Sequence, residues 1–164
     1  MEGNPTIHDQ TKNNTFDPFS SEHGSSGEFG LRGRDEINII QKGGNFGWPA
    51  VVGAAGKNPY HDPVVMWLQA TPPGGIFWVK NDLYVATLRS ESLIRIRMET
   101  ADGEFKVSAI ERWFATENFS GKYGRLRDVV SGPDKSLYVL TSNRDGRGRQ
   151  RPDDDKILRI LLPD

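Results

Sequence analysis

Several residue types and patterns that carry particular chemistry are absent from this sequence. No cysteine occurs among its 164 residues, which excludes disulfide bonds, thiolate metal ligands and a cysteine nucleophile. No apolar run approaches the roughly 18 residues of a membrane span, and the N-terminus lacks the apolar stretch of a signal peptide. Lys plus Arg number 21 and Asp plus Glu number 22, so the chain lacks the positive excess that favours nucleic-acid binding.

The motifs of several enzyme classes are also missing. The chain contains no G-x-S-x-G, Walker, G-x-G-x-x-G dinucleotide or H-E-x-x-H pattern. No stretch keeps a helical period of 3.6 residues, and the 18 glycines and 10 prolines give a turn-rich composition. We therefore expect an all-β protein with little helix.

Short apolar or alternating runs, separated by turn signals, fill the chain from Asp35 onward. They predict strands at residues 35–41, 76–79, 83–88, 93–98 and 104–113. The last four runs are joined by tight turns, which predicts a four-stranded antiparallel meander.

Two of these runs recur near the C-terminus. LYVAT at residues 83–87 is echoed by LYVLT at 137–141, and LIRIRM at 93–98 is echoed by ILRILL at 157–162. Repeats of four short strands at this period are typical of β-propeller blades, with a β-sandwich as the alternative.

The predicted organisation is one partial propeller domain. Residues 1–34 form an irregular lead-in, 35–75 a first partial blade with long loops, 76–122 a complete blade, and 123–164 a last, incomplete blade. Since isolated blades leave an apolar face uncovered, about three blades do not close a ring. We interpret the chain as the C-terminal part of a longer protein, with pairing to a second chain as the alternative.

The first candidate site is the loop SEHGS at residues 21–25, followed by the acidic pair Asp35 and Glu36. Calcium takes about six to eight oxygen ligands, including backbone carbonyls that glycine-rich loops present freely. The pattern fits an oxygen-rich cation site, although composition alone favours a polar loop between strands. His23 is a poor calcium ligand and would instead hydrogen-bond a substrate or cofactor. The GGNFGWP run at 43–49 is mainly architectural.

The second candidate site is cationic. Arg89 follows a predicted strand, and Arg125 and Arg127 flank Leu126, so strand alternation points both guanidinium groups to one face. They are either a solvated edge or a site for a polyanionic ligand, because each guanidinium can grip a carboxylate through two parallel hydrogen bonds. The arginines and aspartates at residues 144–155 predict a zwitterionic surface loop.

Five motifs in order give the chain a family resemblance. SEHG, DEINII, GGNFGWP, GRLRDV and LYVLT, spread over residues 18–162, resemble the soluble quinoprotein sugar dehydrogenases, which comprise PQQ-dependent glucose dehydrogenase and its aldose and sorbosone dehydrogenase relatives. The resemblance implies a six-bladed propeller and oxidation of an aldose at its anomeric carbon. It also implies hydride transfer to PQQ, an external electron acceptor, and a periplasmic or extracellular location.

The resemblance also implies roles for individual residues. The family's cofactor-contacting positions fall on His23, Arg89, Arg125 and Arg127. Its calcium ligands, partly main-chain carbonyls, fall on Gly24, Ser25, Glu36 and Phe46. Asp35 would lie near the active site as an accessory residue.

Departures from the family pattern limit what this chain is expected to do alone. His23 stands where the family has glutamine, Arg89 where it has lysine, and the general-base histidine has no counterpart. We therefore expect PQQ and calcium ligands without normal turnover unless the missing half of the propeller, or a second chain, is added. The alternative is a non-catalytic propeller module that binds carbohydrate or protein. Calcium-dependent lactone hydrolysis is a more distant third.

Overall fold

Nine β-strands make up the regular structure of the residues that the structure describes. The computed structural model describes residues 34–40, 42–47, 50–116 and 120–162. Every strand pairing within this part of the chain is antiparallel, and it contains no helix, hence none that could cross a membrane. The all-β prediction is confirmed. The chain divides between Ala70 and Thr71 into two compact units.

The first unit contains little regular structure. Strands β1 (Glu36–Ile37) and β2 (Val65–Met66) form a two-stranded ladder in which Glu36 lies opposite Met66. The strand predicted at residues 35–41 is therefore present but much shorter. Pro63 is one cause, because it has no N–H with which to extend the ladder beyond β2.

The second unit begins with a four-stranded sheet. Its strands are paired in sequence order, and they are β3 (Pro73–Val79), β4 (Asp82–Thr87), β5 (Leu93–Ala101) and β6 (Glu104–Trp113). The predicted meander is thus confirmed, with β3 starting three residues before the predicted run. β4 is buried from Leu83 to Thr87, whereas β6 alternates between exposed and half-buried residues. The sheet is therefore buried at β4 and solvated at β6.

A three-stranded sheet follows and repeats the register of the first. Its strands, again paired in sequence order, are β7 (Leu126–Ser131), β8 (Leu137–Thr141) and β9 (Ile157–Ile160). Tyr84 on β4 lies opposite Arg95 on β5, and Tyr138 on β8 lies opposite Arg159 on β9. The offsets are 138 − 84 = 54 and 159 − 95 = 64, so the two copies differ by ten residues in the intervening loop.

Each sheet also carries a bulge near the start of its first strand. The extra residue is Gly74 in β3 and Arg127 in β7. The two bulges touch, since a Cβ atom on Gly74 would lie 2.4 Å from the Arg127 carbonyl oxygen, and only glycine permits that approach.

Between the two sheets lies one hydrophobic core. Its buried members are Tyr84, Ala86, Leu93, Leu126, Val129, Leu137 and Val139. This core fixes β7 against the first sheet and so fixes the place where Arg125 and Arg127 emerge.

Candidate functional site

Three of the residues singled out by sequence, His23, Gly24 and Ser25, lie outside the described residues. Asp35 is 7% exposed, and its backbone carbonyl accepts a hydrogen bond from the Trp67 N–H at 3.0 Å. Asp35 therefore stands at the start of the short β1–β2 ladder.

Glu36 and Asn38 present two buried oxygens that lack partners. Asn38 Nδ2 donates to Glu36 Oε1 at 3.0 Å. Glu36 Oε2 and Asn38 Oδ1 are buried and accept no hydrogen bond within the part of the chain that the structure describes. A buried oxygen without a partner is costly, and a hard cation such as calcium is one of the few ligands that would satisfy two of them.

These two oxygens are therefore consistent with a cation site to which Glu36 contributes. Within residues 34–162 as described, no cluster of three or more His, Asp or Glu side chains could hold a metal by itself. Phe46, the other predicted calcium ligand among the described residues, is half-buried with its ring centroid 5.5 Å from that of His61. The Asn45 carbonyl accepts the His61 N–H at 2.8 Å and holds the Phe46 loop in place.

Arg89 lies exposed in the five-residue loop, residues 88–92, that joins β4 to β5. Buried hydroxyl groups close this loop. Thr87 Oγ1 donates to the Ser92 carbonyl at 2.6 Å and accepts from Ser90 Oγ, also at 2.6 Å. All three hydroxyl residues are fully buried, so the loop that carries Arg89 is rigidly anchored at its base.

Arg125 and Arg127 converge on a single carboxylate. Arg125 Nη2 and Nε donate to Asp145 Oδ2 at 3.0 and 3.3 Å, and Arg127 Nη2 donates to the same oxygen at 2.8 Å. Ser142 Oγ accepts from Arg127 Nη2 at 3.1 Å and lies 3.3 Å from Asp145 Oδ2, to which it donates. The two arginines therefore lie on the same side, as expected, although strict strand alternation does not hold there because Arg127 is the bulged residue of β7.

The surroundings of Asp145 keep it ionised. Partial burial would raise its pKa, but the backbone N–H groups of Arg147 and Gly148 and the guanidinium of Arg125 outweigh that effect and lower the pKa to about 2. The three charged side chains therefore carry a net charge of +1 at neutral pH. Arg125 is only 11% exposed, whereas Arg127 is 44% exposed.

A buried amide fixes the backbone from which Arg125 projects. Asn143 is 1% exposed, its Oδ1 accepts the Arg125 N–H at 2.9 Å, and its Nδ2 donates to the Tyr123 carbonyl at 2.9 Å. Gly124 between them has a φ of 74°, and a Cβ there would lie 2.2 Å from Asn143 Oδ1. A side chain at this position would be strained and would collide with the amide that accepts the Arg125 N–H, so glycine is required here.

Sequence reasoning missed Asn38, Ser142 and Asp145. Residues 144–149 are mostly exposed, as expected of a surface loop, but the sequence did not indicate that Asp145 in this loop binds the two arginines. The run Asp145-Gly-Arg-Gly148 carried a usable signal. An aspartate whose Oδ1 accepts the N–H groups two and three residues later is fixed in a turn and can present its other oxygen.

Comparison with known proteins identifies one family. The model of the glucose/sorbosone dehydrogenase family matches residues 10–159. The aldose sugar dehydrogenase YliI of Escherichia coli K12 is 28% identical over 144 residues, which cover 73% of this chain and 35% of that protein.

Solved structures with propeller-type folds give the same result. The chain is similar to the oxidoreductase (glucose dehydrogenase) of Thermus thermophilus, with a TM-score of 0.70, 47% identity, and coverage of 79% of this chain and 37% of that one. It is also similar to the PQQ-bound aldose sugar dehydrogenase of Streptomyces coelicolor, with a TM-score of 0.67, 38% identity, and coverage of 80% and 37%. The chain thus spans about a third of the length of these relatives.

Proposed function

This chain belongs to the glucose/sorbosone dehydrogenase family, and we propose that it forms the cofactor-carboxylate side of a PQQ-dependent aldose dehydrogenase. The observation that carries the proposal is the convergence of Arg125 and Arg127 at the start of β7. PQQ is a tricarboxylate, and paired guanidinium groups are the side chains best suited to bind carboxylates.

The arginine pair retains donors for such a ligand. Within the described residues, Arg127 uses only Nη2 in protein hydrogen bonds, which leaves Nε and Nη1 for a carboxylate. The half-exposed guanidinium would bind and orient one carboxylate of the cofactor, and Arg89 on its anchored loop would bind another. When bound, PQQ supplies the acceptor for the hydride of the sugar.

We propose that calcium is held in part by Glu36 Oε2 and Asn38 Oδ1. Both oxygens are buried and unsatisfied in the described structure, and both are of the hard type that calcium prefers. Gly24, Ser25 and Phe46 remain predicted ligands, and His23 remains a predicted cofactor contact.

No general base is proposed within this chain. The only histidine among the described residues is His61, which is exposed and packs against Phe46. We propose that a histidine from the rest of the propeller removes the proton from the sugar, and that the whole protein passes its electrons to an external acceptor in the periplasm or outside the cell. A positioned base contributes about 10²–10⁴-fold to rate, so this chain alone should turn over very slowly.

The test is titration of the 164-residue chain with PQQ and calcium by calorimetry, followed by dye reduction with several aldoses. We expect PQQ binding that Arg127→Gln weakens and Arg97→Gln, at an exposed arginine on β5, does not. Robust aldose oxidation by this chain would overturn the assignment of the base to another segment. Loss of PQQ binding with retained sugar or protein binding would instead identify a non-catalytic propeller module.

A further inference from the structure

The feature that the proposed function does not explain is the carboxylate between the two arginines. A single oxygen, Asp145 Oδ2, is within hydrogen-bond distance of donors from Arg125, Arg127 and Ser142. An acidic side chain in a site for an anion lowers the positive charge that attracts the ligand. Asp145 is therefore either a built-in competitor, which a ligand carboxylate must displace, or a fixed support for the arginines.

The contacts of Asp145 favour a support. Its second oxygen, Oδ1, accepts the N–H groups of Arg147 and Gly148 at 2.9 and 3.0 Å. The carboxylate is thus tied to its own backbone, and displacement would break this turn as well as the arginine contacts. Arg125 donates to it from both Nε and Nη2 and is nearly buried, so this arginine cannot readily exchange Asp145 for a ligand.

Resting on the proposed function, we infer that Asp145 is a positioning residue: it holds the guanidinium groups of Arg125 and Arg127 side by side so that Arg127 presents its remaining N–H groups to a ligand carboxylate. The contact geometry on Arg127 supports this, because Asp145 and Ser142 both bind the same nitrogen, Nη2. Two contacts on one nitrogen restrain the rotation of the guanidinium plane while leaving Nε and Nη1 unoccupied within the described residues. A guanidinium group that is already held in its binding orientation loses less entropy on binding a carboxylate than one that rotates freely.

The two roles predict opposite changes in the affinity for a carboxylate ligand when Asp145 is replaced by asparagine. Asp145→Asn keeps the size of the side chain and removes its charge. If Asp145 only competes with the ligand or dilutes the positive charge, the variant should bind a carboxylate ligand more tightly. If Asp145 positions the arginines, the variant should bind about tenfold more weakly, since a charge-assisted contact that orients the fork is lost.

The experiment measures PQQ affinity of the 164-residue chain by tryptophan fluorescence, together with the rate at which phenylglyoxal modifies Arg125 and Arg127. The variants are Asp145→Asn, the milder Ser142→Ala, and the control Asp102→Asn, whose side chain is 92% exposed and pairs only with Lys106 among the described residues. We expect both site variants to weaken PQQ binding and to speed modification of both arginines severalfold, and the control to change neither.

The outcomes separate this inference from the proposed function. Unchanged or tighter PQQ binding by folded Asp145→Asn overturns the positioning role. If the parent chain does not bind PQQ, the proposed function fails, and the arginine modification rates decide the inference: faster modification in Asp145→Asn supports it, and an unchanged rate refutes it. Should Asp145→Asn fail to fold, the same two readouts are taken from Ser142→Ala.

Discussion

The two copies of the LYV-x-T strand differ in how their loops are closed. In the first copy, β4 leads to β5 through five residues, and in the second, β8 leads to β9 through fifteen. Both loops are closed at the same place, because the threonine at the end of the strand accepts a backbone N–H from the far side of the loop: Thr87 from Ser92 at 3.1 Å and Thr141 from Lys156 at 2.7 Å.

Above this shared closure the chemistry differs. The base of the short loop is closed by neutral hydroxyls, whereas the long loop supplies one carboxylate and one amide that bind the start of β7. The blade register therefore tolerates an insertion of ten residues at this point, and the insertion brings Asp145 to the arginines. The carboxylate that binds Arg125 and Arg127 thus belongs to a loop and not to the repeated strands.

The largest expected effect tests whether the two strands are equivalent in the core. Leu137 is fully buried between the sheets, and Leu137→Ala should lower the free energy of unfolding by about 2–5 kcal/mol because it leaves a cavity. Leu83, its counterpart in β4, is 6% exposed and lies outside that shared cluster, so Leu83→Ala should cost less. Urea unfolding measures both.

Leu68→Ala is the control for this pair, since Leu68 is 78% exposed and its loss should change little. A loss below about 1 kcal/mol for Leu137→Ala would contradict the placement of β8 in the core.

An intermediate effect on the free energy of unfolding is expected from the two threonines, Thr87 and Thr141, that close the loops. Thr87→Val keeps the shape of the side chain but leaves the fully buried Ser90 hydroxyl without its acceptor at 2.6 Å, so we expect a loss of about 1–2 kcal/mol in unfolding free energy. Thr141→Val should cost less: although Thr141 also accepts a backbone N–H, it accepts no buried serine hydroxyl in the described structure, and the bonds that it donates are longer, at 3.3 and 3.4 Å. The reverse order would show that the carboxylate-rich loop depends on its threonine more than the hydroxyl-rich loop does.

The smallest expected effect is on the pH dependence of the free energy of unfolding, to which the two loops should contribute differently. The pKa of Asp145 is lowered to about 2 in the folded chain, so its stabilising contribution is present above the ordinary aspartate pKa and is lost as pH falls from about 4 towards 2. The hydroxyls of the first loop do not titrate. Asp145→Asn should therefore reduce the loss of unfolding free energy between about pH 5 and pH 2.5 by on the order of 1 kcal/mol.

Asp102→Asn serves as the control for the pH experiment, since that side chain is 92% exposed and pairs only with Lys106 among the described residues. Asp134, also with a pKa of about 2, is retained in every variant, so part of the acid dependence of the free energy of unfolding should remain in all of them. An Asp145→Asn slope equal to that of the parent would mean that the arginines do not hold Asp145 in solution.

The strands and their repetition follow from local sequence, and the structure confirms them. Runs such as residues 83–88 and 137–141 alternate or continue apolar residues between turn signals, and both form the expected strands. The bulge at Arg127 was not predictable, because it depends on the approach of Gly74 from the neighbouring sheet. The brevity of β1 likewise depends on the residues opposite it and not on its own apolar run.

Sequence by itself determined which residue types were available: strand-forming runs, arginines on both sides of Leu126, and an aspartate followed by glycines. The packed fold is what brings Asp145 to Arg125 and Arg127, and what leaves Glu36 and Asn38 each with a buried oxygen that has no partner among the described residues. The physical reason is distance along the chain. Strand formation depends on neighbours a few residues away, whereas a carboxylate eighteen or twenty residues from its arginine reaches it only after β7 and β8 have paired and the loop after β8 has closed.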